Sequence, residues 1–267
     1  MLKSKIVFIG GGNMAEGIIR GIINTGTMEA GQITVCEIIK ERREYLKKTY
    51  KIEAVGESFE AVGMADIIFL ATRPQNAEES VIGFKDSLNG EQILVSICAG
   101  IDIERLQNWT GDKVKIAKVM PNVLIEARHG YSGVCVSDKI TEKDKEVISE
   151  LFSAIGQTMY IPENMFNEFT AYSCAGPAYV MYFLAGLIDA GVESGFSRMD
   201  ATAIATENLI GSGMMIAETK KNPYQITDVM TSPAGVTIEG CHVLSSSGFQ
   251  GIVMDAVRAA VKRANEF

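Results

Sequence analysis

Four short runs in the first hundred residues, 6–9, 33–36, 67–71 and 93–97, are apolar without a polar alternation. That is the pattern of parallel strands covered on both faces. Between them apolar residues recur at helical spacing over 14–25, 40–50, a short stretch after Ser58, and 76–88. Strand and helix in alternation predict βαβ units and a doubly wound sheet. Two more strands are expected at 115–119 and 131–136. A helix opened by Thr141-x-x-Asp144 as a capping box follows, and then a strand at 158–161. After Pro162 no strand run appears, and helical patterns fill 164–173, 177–192, 199–220, 223–230, 237–247 and 249–265. The chain therefore divides into an α/β domain, residues 1–162, and an all-helical domain, residues 163–267.

Composition changes this picture little: 267 residues, 47% apolar and 22% charged, fit an ordinary globular chain of one or two domains. Charge narrows the partners. A net −8 repels nucleic-acid backbones and anionic membranes, so neither is expected, and an anionic ligand has to be held by local N–H groups or a single cation. Five widely spaced cysteines without a C-x-x-C pair, and only His129 and His242 beside them, argue against a disulfide framework or a metal site. The apolar run at 6–9 is too short for a signal peptide, which points to the cytoplasm. Residues 170–188 carry no charge and have the length of a bilayer span. They nevertheless include Ser173, Gly176, Pro177, Tyr179 and Tyr182, lie between Glu168 and Asp189, and lack a basic anchor. A helix covered by protein, in a core or a subunit interface, is the expectation.

Five segments carry candidate chemistry. Gly10-Gly11-Gly12-Asn13-Met14-Ala15 follows the first strand, opens the first helix and fits G-x-G-x-x-A. In that pattern the first glycine turns the chain, the second lets a pyrophosphate approach the backbone, and the small third residue packs helix on strand. Glu37 ends the second strand, where an acid bonds the adenosine ribose diol and would repel a 2′-phosphate. Arg42 or Arg43 could still swing in, so the lean to NADH over NADPH is slight. The strands at 67–71 and 93–97 lead into 71–74 and 97–99, in the zone where open α/β sheets bind ligands, with Arg73 as the cation placed to meet phosphate. Thr231 to Thr237 is a loop of small residues leading into a helix. It either presents free N–H groups to a carboxylate or simply places Thr237 as an N-cap.

Together these segments resemble the Δ1-pyrroline-5-carboxylate reductase family. The matching pieces are 8–15, Arg73-Pro74-Gln75, 96–100, 119–122, Gly176-Pro177-Ala178-Tyr179, 232–237 and the tail around Gly248-Phe249. The resemblance implies an α/β fold: an N-terminal Rossmann-type doubly wound sheet followed by an all-helical C-terminal dimerisation domain. It also implies a homodimer that can assemble further into a ring of dimers, and NAD(P)H as cofactor. Carried over residue by residue, Ser232 and the backbone of Gly235, Val236 and Thr237 would hold the substrate carboxylate. Thr237, through its hydroxyl near the ring nitrogen, would be the catalytic group, and Glu163 would lie by the pocket. Ile9, Gly10, Gly11, Gly12, Asn13, Met14, Ser58, Ala71, Thr72, Arg73, Pro74, Ile97, Cys98 and Ala99 would line the cofactor, with Glu37 added from the strand-end reading.

The implied reaction gives hydride to a C=N carbon and yields L-proline. A protonated imine is already electrophilic, so an anchored carboxylate, a hydroxyl at nitrogen and a dry pocket meet its needs without a histidine. Departures gather in the substrate half: Val123, Ala175, Ala234 and Val236 replace smaller or more polar family residues, and Lys118 stands where arginine is usual. They keep open a diverged imine or 3-hydroxy-acid reductase, and a non-catalytic dinucleotide-binding regulator. Cys174 reads as an inert buried thiol.

Overall fold

The computed structural model describes residues 2–56 and 60–266. Two compact units share the chain, dividing between Cys174 and Ala175.

The first unit is built on β1 (Ile6–Ile9), α1 (Asn13–Asn24), β2 (Ile33–Cys36), α2 (Lys40–Tyr50), β3 (Glu53–Val55), α3 (Glu60–Met64) and β4 (Ile67–Leu70). It continues through α4 (Pro74–Phe84), β5 (Ile93–Ser96), α5 (Ile103–Thr110), β6 (Lys115–Pro121), β7 (Gly130–Val136), α6 (Glu142–Ser153) and β8 (Gly156–Tyr160). The strands form one sheet in the order β3-β2-β1-β4-β5-β6-β7-β8. All neighbours run parallel except β6 and β7, a tight return that inverts direction before α6 carries the chain to β8. Alternate residues feed opposite faces: Ile6, Phe8, Ile67 and Phe69 pack with α1 and α6, whereas Val7, Ile9, Ile68 and Leu70 pack with α4 and α5. The apolar runs lack alternation because both faces are covered. The rings of Phe8 and Phe69 stack at 4.5 Å in the middle of the first face.

Two elements absent from the pattern reading appear here. β3 is a three-residue edge strand, too short to show a period. α5 carried readable signals, since Asp102 caps it by accepting from Arg105 N at 2.7 Å and Gly111 closes it at φ 67°. The expected Thr141 capping box is present on α6.

The first unit runs past Pro162 into a 3₁₀ turn (Glu163–Met165), α7 (Phe166–Phe169) and a π-helical turn (Thr170–Cys174). Phe166 is buried in the second core cluster, and the Phe169 ring lies so close to Gly133 that a Cβ there would fall 2.8 Å from it. These aromatic anchors hold the segment after Pro162 against the sheet.

The second unit is all helix: α8 (Gly176–Glu193), α9 (Arg198–Thr219), α10 (Pro223–Met230), α11 (Val236–Ser246) and α12 (Phe249–Ala264). Ser197 caps α9, and Asn222 forms a capping box with Gln225 on α10. Within one chain this unit has almost no interior. Among the described residues only Ala201, Ala205 and Ile226 are buried, while Met181, Tyr182, Met214, Ile252 and Met254 stand exposed. Of the uncharged stretch expected to be covered, Ala171 is buried and Cys174 packs on the sheet core, whereas α8 has no buried residue within one chain. The helical region Glu163–Glu193 is long and apolar enough to cross a membrane by length and composition, with 6% of its most apolar window buried.

Candidate active site

The carboxyl ends of β1, β2, β4 and β5 bring Gly10 to Met14, Glu37, Ala71 to Pro74 and Ile97 to Ala99 to one edge of the sheet. Gly10 turns the chain at φ 100°, and a Cβ there would lie 2.7 Å from the carbonyl oxygen of Ala71. Only glycine fits this crossing. Gly12 is the opposite case: it is the N-cap of α1, has no side-chain cap, and a Cβ on it would meet nothing within 4 Å. The first-turn N–H groups of α1 begin beside this open position and have no partner within the helix, as a seat for a pyrophosphate requires. Ala15, the third small residue of the motif, is 1% exposed and packs into the core. A dinucleotide fits this arrangement.

Glu37 is not a freely solvated strand end. Its Oε2 accepts from Gly11 N at 2.9 Å and its Oε1 from Ile39 N at 2.9 Å. The two nearby arginines are committed elsewhere. Arg43 donates to the carbonyl oxygens of Glu37 (2.6 Å) and Ile38 (2.9 Å). Arg42 donates from Nε to Gly11 O at 2.6 Å and pairs with Glu16 through Nη2. Glu16 also accepts from the hydroxyls of Tyr45 (2.8 Å) and Tyr50 (2.6 Å). Burial acts to raise the Glu16 pKa, but the bonds from Tyr50, Tyr45 and Arg42 outweigh it and hold the carboxyl below its usual range. Burial, and then the bond to Glu16, push the Tyr50 hydroxyl up.

Next to these, Arg73 is the exposed N-cap of α4 with Pro74 as the first helical residue, and it makes no ion pair among the described residues. Cys98 is buried, its thiol against the carbonyl oxygens of Thr72 (3.3 Å) and Leu70 (3.5 Å), and burial raises its pKa. It lines the edge as an inert group. Ser58 lies outside the described residues.

Glu163 is engaged within the first unit. Its Oε1 accepts from Ile103 N at 2.9 Å, at the start of α5, and lies 3.3 Å from the Lys118 ammonium. Lys118 in turn sits over the Phe166 ring at 4.5 Å. The pair fastens β6, α5 and the 3₁₀ turn to one another. Asn122, which the motif reading quoted but gave no role, is a second fastener. It is 5% exposed, donates to the carbonyl oxygen of Ser173 at 3.2 Å, and accepts from Leu124 N and Tyr131 N at 3.2 and 3.3 Å. The local sequence shows at most its cap on Leu124 N, because its other partners, Ser173 and Tyr131, lie 51 residues away and in the opposing strand. Cys174 lies beside Pro121 O, and burial pushes its thiol up to about 11, in keeping with an unreactive sulfur.

In the second unit, Ser232 to Thr237 form the turn that opens α11. Gly235 N donates to Ser232 O at 3.0 Å, and a Cβ on Gly235 would run into Ser232 Oγ. Gly235 is the N-cap, with no side-chain cap, and Thr237 is the second helical residue. The N-cap reading of Thr237 is thereby corrected, because the chain turns helical one residue before it. The Val236, Thr237 and Ile238 N–H groups lie ahead of the first helical bond, Glu239 N to Gly235 O, and so have no partner within the helix, which suits them to an anion. Ala234 sits at φ 55°, a left-handed conformation that suits glycine. Ala234→Gly is expected to stabilise the loop by roughly 0.5–1 kcal/mol, the relief of a left-handed Cβ less the added chain entropy. A thermal melt that falls rather than rises would contradict it.

Comparison with known proteins addresses both halves. Residues 163–267 match a family model described as pyrroline-5-carboxylate reductase dimerisation, and residues 5–100 one described as NADP oxidoreductase, coenzyme F420-dependent. A pyrroline-5-carboxylate reductase of Arabidopsis thaliana is 33% identical over 98% of this chain and 95% of its own length. The chain belongs to the pyrroline-5-carboxylate reductase family. The family's Escherichia coli K12 enzyme is 31% identical over 99% of this chain and 98% of its own. Among solved structures, the reductase of Coxiella burnetii superposes with a TM-score of 0.94 at 26% identity, covering 99% of this chain and 98% of that one. The Plasmodium falciparum family member, solved with NADP bound, gives 0.86 at 30% identity with the same coverage. Membership makes the chain an NAD(P)H-dependent oxidoreductase acting on C=N. It also makes the helical unit a dimerisation domain through which the chain self-associates.

Proposed function

We propose that the chain reduces 1-pyrroline-5-carboxylate to L-proline with hydride from NAD(P)H, and that NADH is the preferred donor. The observation that carries this reading is the Ser232 to Thr237 turn, an unpaired helix start beside a hydroxyl, retained in a chain whose Gly10 to Met14 loop is shaped for a pyrophosphate. The N–H groups at the start of α11, with Ser232, hold the substrate carboxylate, and the Thr237 hydroxyl hydrogen-bonds the ring nitrogen as its charge is quenched. Met14, Ala71, Thr72, Ile97 and Ala99 line the cofactor edge, and Arg73 meets its phosphate. When bound, the nicotinamide supplies the hydride. The protein's part is to orient, to exclude water and to hold a hydrogen-bonding hydroxyl at nitrogen.

The NADH preference rests on Glu37. Its carboxylate occupies the end of β2, and both arginines that could offset it donate to backbone carbonyls or to Glu16. Initial rates with each cofactor on the five-membered imine are the test. NADH should give at least tenfold higher kcat/KM, and Thr237→Ala should lower kcat about ten- to a hundredfold with an unchanged melting temperature. No turnover with either cofactor would sink the reading. The exposed Val236 and the Ala234 turn favour a second reading, a relative specialised for a different imine or a 3-hydroxy acid. Faster turnover of a six-membered cyclic imine or of a hydroxy acid would select it.

For assembly, the exposed apolar residues of α8, α9 and α12 support a homodimer joined through the helical unit, with rings of dimers as the higher order. The five free cysteines, Cys36, Cys98, Cys135, Cys174 and Cys241, support a reducing, cytoplasmic location.

A further inference from the structure

We propose that Arg42, held in place by Glu16, is a positioning residue for the dinucleotide: it fixes the Gly11 peptide and so aims the first-turn N–H groups of α1. This deepens the cofactor reading above and rests on it. Gly11 is held from both sides by opposite charges. Its N–H goes to the Glu37 carboxylate at 2.9 Å and its carbonyl to the Arg42 guanidinium at 2.6 Å. Both are bonds to charged groups, which are stronger than neutral ones. The Gly11 Cα also lies against α2, since a Cβ there would sit 2.8 Å from Leu46 Cδ1. The peptide thus has little freedom to rotate.

Arg42 is itself fixed. Its guanidinium pairs with Glu16 and lies 5.1 Å from the centre of the Tyr45 ring. The side chains of Arg42 and Glu16 are 23% and 13% exposed, which excludes most of the competing water. Tyr45 and Tyr50 saturate the other Glu16 oxygen. Three side chains of α2 thereby converge on one carboxylate in the first turn of α1, next to the open Gly12 position. An isolated glycine-rich turn samples many conformations, and ordering it on binding costs affinity. This network does the ordering beforehand, and none of its members needs to touch the ligand.

The two charges on Gly11 have separable effects. Glu37 faces the ribose and bears on the choice between NADH and NADPH. Arg42 lies behind the loop, bears on the phosphate seat common to both, and is blind to the 2′ position.

The experiment is steady-state kinetics and equilibrium dinucleotide binding on the full-length protein, with wild type, Arg42→Met, Arg42→Lys and Glu16→Gln. Arg42→Met should raise KM and Kd for NADH and for NADPH alike by about tenfold, the loss of one charge-assisted hydrogen bond. Its kcat and imine KM should stay within twofold, and the ratio between cofactors should not change. Arg42→Lys should recover part of the loss. If Arg42→Met melts more than about 5 °C lower, Glu16→Gln, which keeps the size and one accepting oxygen but removes the charge, carries the test with a smaller rise in the same constants. Unchanged dinucleotide constants in folded variants, or a fall in kcat with imine KM rising in step, would overturn the proposal. A wild-type chain that binds no dinucleotide sinks the cofactor reading, and this proposal with it.

Discussion

Gly12→Asp is expected to leave the fold intact and to remove dinucleotide binding. The Gly12 backbone is ordinary, with φ −68° and ψ −178°, and its Cβ direction is open, so a side chain meets no atom within 4 Å and no strain arises. The carboxylate would stand where the phosphates must approach. A like charge at about 4 Å in an effective dielectric near 20 costs about 4 kcal/mol, or roughly a thousandfold in affinity. Calorimetry and a thermal melt on the same sample check both halves. Tight binding in the variant would show that the pyrophosphate does not lie over Gly12, and a large drop in melting temperature would show that the open space is illusory.

Gly156→Ala should do the reverse. Gly156 opens β8 at φ 152°, paired with Gly130 of β7. A Cβ on Gly156 would fall inside the radius of the Gly130 carbonyl oxygen, with the Gly130 carbonyl carbon at 2.5 Å. Everything it meets is backbone, and Gly130 is itself pinned, since its own Cβ position lies 2.9 Å from Ile155 O. The two strands would have to part at their first rung. The expected loss is about 4 kcal/mol, in the range reserved for backbone collisions, and about 10 °C in melting temperature. A melt within 2 °C of wild type would refute this, and protein that still folds at low temperature should retain its dinucleotide affinity.

The sequence disclosed what is periodic or locally punctuated. The strands at 6–9 and 33–36 and helices such as Lys40–Tyr50 and Pro223–Met230 follow from apolar spacing and turn residues. The glycine loop is legible because its constraints come from adjacent residues. β3 escaped, since three residues at a sheet edge have no period, and α5 was passed over despite Asp102 and Gly111. The grip of Glu37 on Gly11 is hidden in the sequence for a different reason: the two lie 26 residues apart, and only pairing of β1 with β2 brings them together. Asn122 and Glu16 were invisible for the same reason. Ala234 was legible as a departure from the family pattern, but its left-handed φ could be known only from the backbone.

The helical unit leaves one more consequence. A set of five helices with only Ala201, Ala205 and Ile226 buried cannot recover the entropy of ordering its chain from its own contacts. Its folding is therefore expected to be coupled to its association, with a folded fraction that depends on protein concentration as well as on temperature. Dilution should then act as a denaturant for these five helices. The sheet, with its two closed apolar faces, is free of that dependence.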